Sequence, residues 1–275
     1  MKTCQLKHLF FRSFGWSLGA GVDHQPRLLG YHSVKDGQGH LSTPVQKFCK
    51  QMDWLLSRGY RILTLKEWWR TELSPGGSSP RSVVLTFDDG FQDIASTAAP
   101  ELAKRGLAGT VFLSTDHVGK TNAYDRALGV PELPLLSWEE IQQLQKRGWD
   151  FQSHGRRHRP LTSLTPEELK DEVAGSKAIL EERLGESVDF FCYPYGDFDS
   201  RTLAMVTQSG YRGAVSSWAG TLSEGKESDP YRLRRVMADG LHSMGDFAFR
   251  FSPAYRRLTD LWFWQKQVKG SLLDA

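Results

Sequence analysis

The sequence predicts an α/β fold in which parallel strands, alternating with helices, close or nearly close into a barrel. Three observations carry that expectation. Short β-branched runs such as Val83-Val84-Leu85 read as strands buried on both faces. Segments with helical periodicity and recognisable caps separate them. The residues able to do chemistry fall just after strands, which in a β/α barrel is the carboxyl-terminal mouth where sites form.

Taken in order, Leu28 to Val34 reads as the first strand and ends in a polar Tyr31-His32 pair. A helix is expected from Thr43 to Arg58, with Thr43 as N-cap, Pro44 at the first helical position and Gly59 as stop. Phe48, Met52, Leu55 and Leu56 give it one apolar face. Thr64 and Glu67 form a capping-box pattern for the next helix, and Gly76 to Pro80 connect it to the Val83 strand. Asp93 to Arg105 reads as a helix and Gly109 to Leu113 as a strand. His117 to Leu136 has little periodicity, and connections of that length often serve as lids or substrate walls. A helix capped by Ser137 precedes the Trp149 to Ser153 strand, and Thr165 opens the longest helix, which runs to Leu184. Asp189 to Cys192 is the next strand and Ser200 to Gln208 the next helix. Ala214 to Ser216 and Leu233 to Val236 are weaker strands flanking a polar loop, Gly220 to Pro230.

With 275 residues, 39% of them apolar, and no repeat, the chain suits one large barrel domain over residues 27–257. A net charge of +3, from 35 Lys and Arg against 32 Asp and Glu, is too balanced to indicate nucleic acid. Cys4, Cys49 and Cys192 have neither the number nor the spacing of a disulfide framework or thiolate zinc site. In the 1–26 extension, Arg12 interrupts the apolar run Leu9-Phe10-Phe11 well short of the roughly 7 to 15 residues of a signal core. No stretch reaches the roughly 20 apolar residues of a membrane span. A cytoplasmic protein is therefore expected. The 258–275 tail, expected helical, carries Leu261-Trp262-Phe263-Trp264 with Lys266 and Lys269, which is compatible with peripheral membrane contact.

Thr86-Phe87-Asp88-Asp89-Gly90 ends the clearest strand with two adjacent carboxylates. Successive strand residues face opposite ways, so both can reach one site only if the backbone turns, as Gly90 permits. Carboxylates this close repel, and a cation would relieve them. Downstream, Ser153-His154-Gly155-Arg156-Arg157-His158 places two histidines at i and i+4, one helical turn apart, which lets both imidazoles reach one ion. One carboxylate and two imidazoles leave a coordination position open, the catalytic rather than the structural pattern. No Glu follows the first His, which excludes the helical zinc-protease motif and leaves the base to be supplied from elsewhere, with Asp88 the obvious supplier.

Together these stretches resemble the polysaccharide deacetylase family, the NodB-homology hydrolases of carbohydrate esterase family 4, over roughly residues 28 to 250. The resemblance implies a distorted single-domain barrel of about seven parallel strands. It implies Asp88 as base and Asp89, His154 and His158 as ligands of a divalent metal, with zinc the expected ion. Phe191-Cys192-Tyr193-Pro194-Tyr195-Gly196 looks like the family's third motif, which assigns the Tyr195 N–H to the oxyanion and sets Pro194 against the substrate. Leu241-His242 looks like the pair carrying the general acid. His32, Trp218 and Arg157 are further candidates for substrate contact, and Trp138 is a second candidate stacking platform. Three departures stand out: Cys192 where many members have an Arg turned to the base, Ser217 ahead of Trp218 where others have an Asp, and Gly155 for the usual Ser or Thr. The implied activity is removal of N-acetyl groups from amino sugars of a polysaccharide or lipid-linked glycan precursor, with a carbohydrate partner and no nucleic acid. The alternatives are a deformylase or small-amide hydrolase on the same fold and a glycan-binding pseudoenzyme. A two-His-one-carboxylate iron oxygenase would use similar ligands but has no need of Asp88.

Overall fold

The computed structural model describes residues 23, 26–37, 41–72, 81–219 and 229–261. The 1–21 segment, the Gly76 to Pro80 connection, most of the 220–230 loop, the side chain of Trp218 and tail residues 262–275 lie outside them. The strands are β1 (Arg27–Tyr31), β2 (Ser33–Val34), β3 (Ser42–Thr43), β4 (Arg61–Leu63), β5 (Ser82–Phe87), β6 (Thr110–Leu113), β7 (Asp150–Ser153), β8 (Phe190–Cys192), β9 (Gly213–Ala219) and β10 (Leu233–Met237). All pairings between them are parallel. Because β1 pairs with both β5 and β10, the sheet closes on itself as a seven-stranded barrel of β1, β5, β6, β7, β8, β9 and β10. The expected β/α barrel is what forms.

The barrel is distorted at one place. β1 occupies one edge of β5 along residues 83–87, so β4 and β6 must share the other: β4 takes Ser82 to Val84 and β6 takes Thr86 and Phe87. The helix that follows β4, Leu65–Glu72, reaches β6 there, the Leu65 N–H donating to Thr110 Oγ1 at 2.8 Å. Its Leu65 and Trp68 join Leu28, Val84, Phe112, Phe190, Val215 and Leu233 in one buried cluster inside the strands. The amino-terminal end of the barrel is thereby plugged.

Alternation along the strands then decides what stands at the other end. Residues two apart share a face, so above the interior layer of Leu28, Val84 and Leu233 come Gly30, Thr86 and Arg235, and above those His32, Asp88 and Met237. The outward faces, including Leu29, Leu85, Val111, Phe151, Phe191 and Val236, pack against the surrounding helices in a second cluster.

Several local expectations are corrected. Thr43 does not cap the first helix: it is paired in β3, and the helix Val45–Ser57 starts after Pro44 without a side-chain cap. Leu56 is exposed, whereas Gln51 is buried because its Oε1 accepts from Tyr31 Oη at 2.6 Å. The first strand breaks at His32. The longest helix is divided into Pro166–Lys170 and Ser176–Leu184 by a π-helical turn, Asp171–Gly175. Trp138 packs on the core with the Arg183 guanidinium 5.5 Å above its ring. The tail is helical over 253–261, and among the described residues no helix is long and apolar enough to cross a membrane.

A closed interior makes Phe112, which is fully buried, far more costly to truncate than Leu56. In chemical denaturation, Phe112→Ala is expected to lower the unfolding free energy by about 3–5 kcal/mol. Leu56→Ala should cost less than about 1 kcal/mol. Equal losses would contradict a packed barrel interior.

Candidate metal centre and active site

Asp88 continues the inward face of β5, and its N–H donates to the Tyr31 carbonyl at 2.9 Å. Both its oxygens are taken by Arg235 on β10, Oδ1 by Nη1 and Oδ2 by Nη2, each at 2.7 Å. The remaining donors of this buried guanidinium are also used: Nε on the Ser216 carbonyl at 3.0 Å, Nη1 also on Thr86 Oγ1 at 3.2 Å, and Nη2 also on Cys192 Sγ at 3.2 Å. Asp88 and Arg235 lie on strands that flank β1, and they meet across Gly30. A Cβ at Gly30 would lie 2.5 Å from Met237 Sδ and 3.4 Å from Arg235 Nη1. Burial works against ionisation of Asp88, but the charge and paired hydrogen bonds of Arg235, with His32 and His154 nearby, hold its carboxyl well below the usual range.

Asp89 is treated in the opposite way. The chain turns at this residue, with φ 67° at Asp89 and 76° at Gly90, so that its side chain reaches the same mouth as Asp88. Its Oδ1 lies 3.6 Å from His154 Nε2 and 3.3 Å from His158 Nε2, is buried, and has no hydrogen-bond partner among the described residues. Burial first, then the Asp88 and Asp125 charges, push its pKa well above the ordinary carboxylate value. An anion so placed calls for a cation.

The histidines are prepared to be ligands. His154 Nδ1 stands 2.7 Å from the Cys192 carbonyl, which can only accept, so Nδ1 carries the proton and Nε2 keeps its lone pair. Burial lowers the pKa of both imidazoles, that of His158 strongly. The segment between them is not a helical turn. It is an irregular loop made by positive φ values at Gly155 (80°) and His158 (54°), so the i, i+4 spacing works by loop curvature instead. Asp89, His154 and His158 offer ligand atoms all within 4.8 Å of one another. An orphaned carboxylate oxygen facing two neutral imidazoles fits a divalent ion such as zinc. A second grouping, Asp88, His154 and Cys192, is equally compact, but Arg235 already holds its carboxylate and sulfur, and burial pushes the Cys192 thiol up.

These groups open into a cavity of ≈ 220 Å³. His32 lines it, with Nε2 3.9 Å from Asp88 Oδ2. Tyr195, held at φ 59°, lines it too and donates to Asp125 Oδ1 at 3.0 Å. Asp125, Leu128 and Val130 bring the long 117–136 connection into the wall, as expected of it. Pro194 is buried beneath the turn. Three expected site residues do not line the cavity, the buried Pro194 among them. Arg157 does not line the cavity: its guanidinium is paired with Asp116, Asp171 and Glu172. His242 does not line it either, and its Nδ1 stands 2.6 Å from Asp239 Oδ1. The residue that sequence reasoning missed is Arg235. Its signal was an arginine in phase with Leu233 on a buried strand, a placement that demands a partner.

Comparison with known proteins agrees with this geometry. The family described as Polysaccharide deacetylase matches residues 76–214. The Bacillus subtilis (strain 168) protein YxkH, which carries that family's name, is 30% identical over 209 residues, 76% of this chain and 70% of its own length. A poly-beta-1,6-N-acetyl-D-glucosamine N-deacetylase of Staphylococcus epidermidis is 29% identical over 205 residues, 70% of this chain and 66% of its own, so this chain spans slightly under two thirds of it. Among solved structures, the Streptococcus pyogenes deacetylase PplD in complex with acetate aligns with a TM-score of 0.71 at 22% identity, over 84% of this chain and 100% of that one. IcaB from Ammonifex degensii aligns at 0.68 and 22%, over 83% and 98%. At these identities the two structures show the shared fold. With the family matched over half the sequence and a relative of 30% identity aligned over most of its length, this chain belongs to the polysaccharide deacetylase family.

Proposed function

We propose that this protein is a metal-dependent hydrolase that removes N-acetyl groups from the amino sugars of a polysaccharide. One observation carries the reading: of two adjacent buried carboxylates, one is bonded through both oxygens to Arg235, and the other turns an oxygen without a hydrogen-bond partner among the described residues towards two imidazoles. That division suits a base beside a metal ligand. A divalent ion held by Asp89, His154 and His158 would supply a Lewis acid for the acyl oxygen and acidify water next to it. Asp88 accepts the proton of the attacking water, since it is ionised throughout the physiological range. The Tyr195 backbone N–H, on the strained turn at the cavity wall, is assigned to the developing oxyanion. The general acid is assigned to His32, which shares the cavity with Asp88, in preference to His242, which does not.

The pseudoenzyme alternative drew on Cys192 and Ser217, which stand where members of the family have an arginine and an aspartate. Arg235 reaches the base from another strand and touches that same cysteine, which supports catalysis instead. The Staphylococcus relatives are named for poly-beta-1,6-N-acetyl-D-glucosamine, so an N-acetylglucosamine polymer of that linkage is the substrate proposed first.

Incubated with such oligomers, the metal-loaded protein is expected to release acetate, and chelation should abolish release. Formate release from N-formyl sugars with none from N-acetyl sugars would favour the deformylase alternative. Asp88→Asn should retain bound metal yet lose turnover by about 10²–10⁴-fold. Asp89→Ala should lose the metal itself. Full activity of Asp88→Asn would overturn the base assignment.

Removing the Arg235 charge leaves burial as the main influence on Asp88, so its pKa must rise. In Arg235→Gln the acid limb of the kcat/KM profile should therefore move to higher pH by at least about one unit, the direction set by loss of an opposite charge. An unmoved limb would contradict control of Asp88 by Arg235.

A further inference from the structure

We propose that Glu172 is a positioning residue for the metal centre, its buried carboxylate fixing the loop that carries His158; the inference rests on the metal reading above. Glu172 is fully buried, yet it does not line the cavity. Its Oε2 accepts from two consecutive backbone amides, Arg156 N at 2.9 Å and Arg157 N at 2.8 Å, and its Oε1 accepts from Arg157 Nη1 at 2.8 Å. Both amides belong to the irregular segment between the two ligand histidines, where neither helix nor strand satisfies them. Consecutive amides converging on one oxygen form an anion-binding nest, and here the anion comes from the protein.

Three other features are fitted to this clamp. The π-helical turn Asp171–Gly175 widens the helix where Glu172 must enter, and such turns recur at functional places. Its neighbour Asp171 takes both guanidinium groups, Arg156 at 2.6 Å and Arg157. Gly155, at φ 80°, leaves space for the carboxylate: a Cβ there would stand 3.3 Å from Glu172 Oε2. Gly155, which departs from the Ser or Thr that the resemblance led one to expect, thus lies in close contact with the Glu172 carboxylate.

His158 needs such help. A metal-ligating imidazole is ordinarily fixed by an acceptor on its second nitrogen, as His154 is by the Cys192 carbonyl. His158 Nδ1 is buried with no partner among the described residues. Its ring is held instead between Tyr124, stacked at 4.4 Å, and Tyr195, edge-on at 4.5 Å. Ring contacts fix the plane, and Glu172 fixes the backbone that delivers the ring.

The test is a chelator-competition titration of the metal-free full chain with Zn2+, paired with the visible spectrum of the Co2+-loaded protein. Glu172→Ala should weaken zinc binding by about 10–100-fold, the usual effect of losing an outer partner of a metal ligand, and should alter the cobalt bands. Glu172→Gln, which keeps an acceptor oxygen for the two amides, should recover part of the affinity. Unchanged affinity and cobalt bands in Glu172→Ala, with only a lower unfolding midpoint, would overturn the proposal. Should Glu172→Ala not fold, Glu172→Met, which fills the same space but accepts from neither amide, decides in its place, and parental affinity with parental cobalt bands overturns the proposal. A parent protein that binds neither ion would remove the metal reading itself, and this inference with it.

Discussion

Two carboxylates on consecutive residues, both buried at the end of one strand, cannot both remain ionised without positive charge beside them. This chain answers the constraint twice. A permanent cation from its own sequence, Arg235, is bonded to Asp88 by both nitrogens of its fork. Asp89, turned away by its left-handed backbone, presents an oxygen to two imidazoles that burial keeps neutral. The remainder of the site is arranged around that difference. Closure of the barrel matters because it sets β5 and β10 on either side of β1, and Gly30 matters because it leaves room for Met237 beside the Arg235 guanidinium. The Arg235 pair is fully desolvated. Such a pair adds little to stability when intact and is costly when broken, and its effect here is to keep the Asp88 carboxylate ionised at a fixed place.

Backbone strain is concentrated at the same end of the molecule. Among the described residues four non-glycine positions have positive φ: Arg81, Asp89, His158 and Tyr195. Three of the four are site residues, and each lies on a different connection leaving the barrel. Positive φ in residues with side chains persists only where surrounding contacts impose it. Contacts lie beside each: the turn at Gly90 next to Asp89, the Glu172 bonds to the loop before His158, and the Gly196 and Asp197 amides bonded back to Tyr193 and Pro194 around Tyr195. A rigid mouth lets ligands from separate connections converge.

The alternation of strands and helices, and the placement of chemistry after strands, were legible because they depend on local periodicity. So were Asp88, Asp89, His154 and His158, whose residue types and spacing already suggest a shared ion. Contacts set by closure were not legible. Nothing near Arg235 in the sequence points to Asp88, nearly 150 positions earlier, and only its phase with Leu233 marks it as turned inward. Thr43 had the chemistry of a cap but was taken by a pairing with β2; Leu56, expected on the apolar face, is exposed, and Gln51 is buried through its bond with Tyr31. Arg157 and His242 were plausible at the mouth by position, but nearby acidic side chains claim both.

Cys192 stands where the resemblance led an arginine to be expected, and Arg235, from another strand, touches both that cysteine and Asp88. Which atoms would receive the ion can be read by X-ray absorption at the zinc edge of the metal-loaded protein. Two imidazole nitrogens and oxygens at about 2.0–2.2 Å, with no sulfur, are the predicted shell. A sulfur scatterer at about 2.3 Å would place the ion on Cys192 and contradict it.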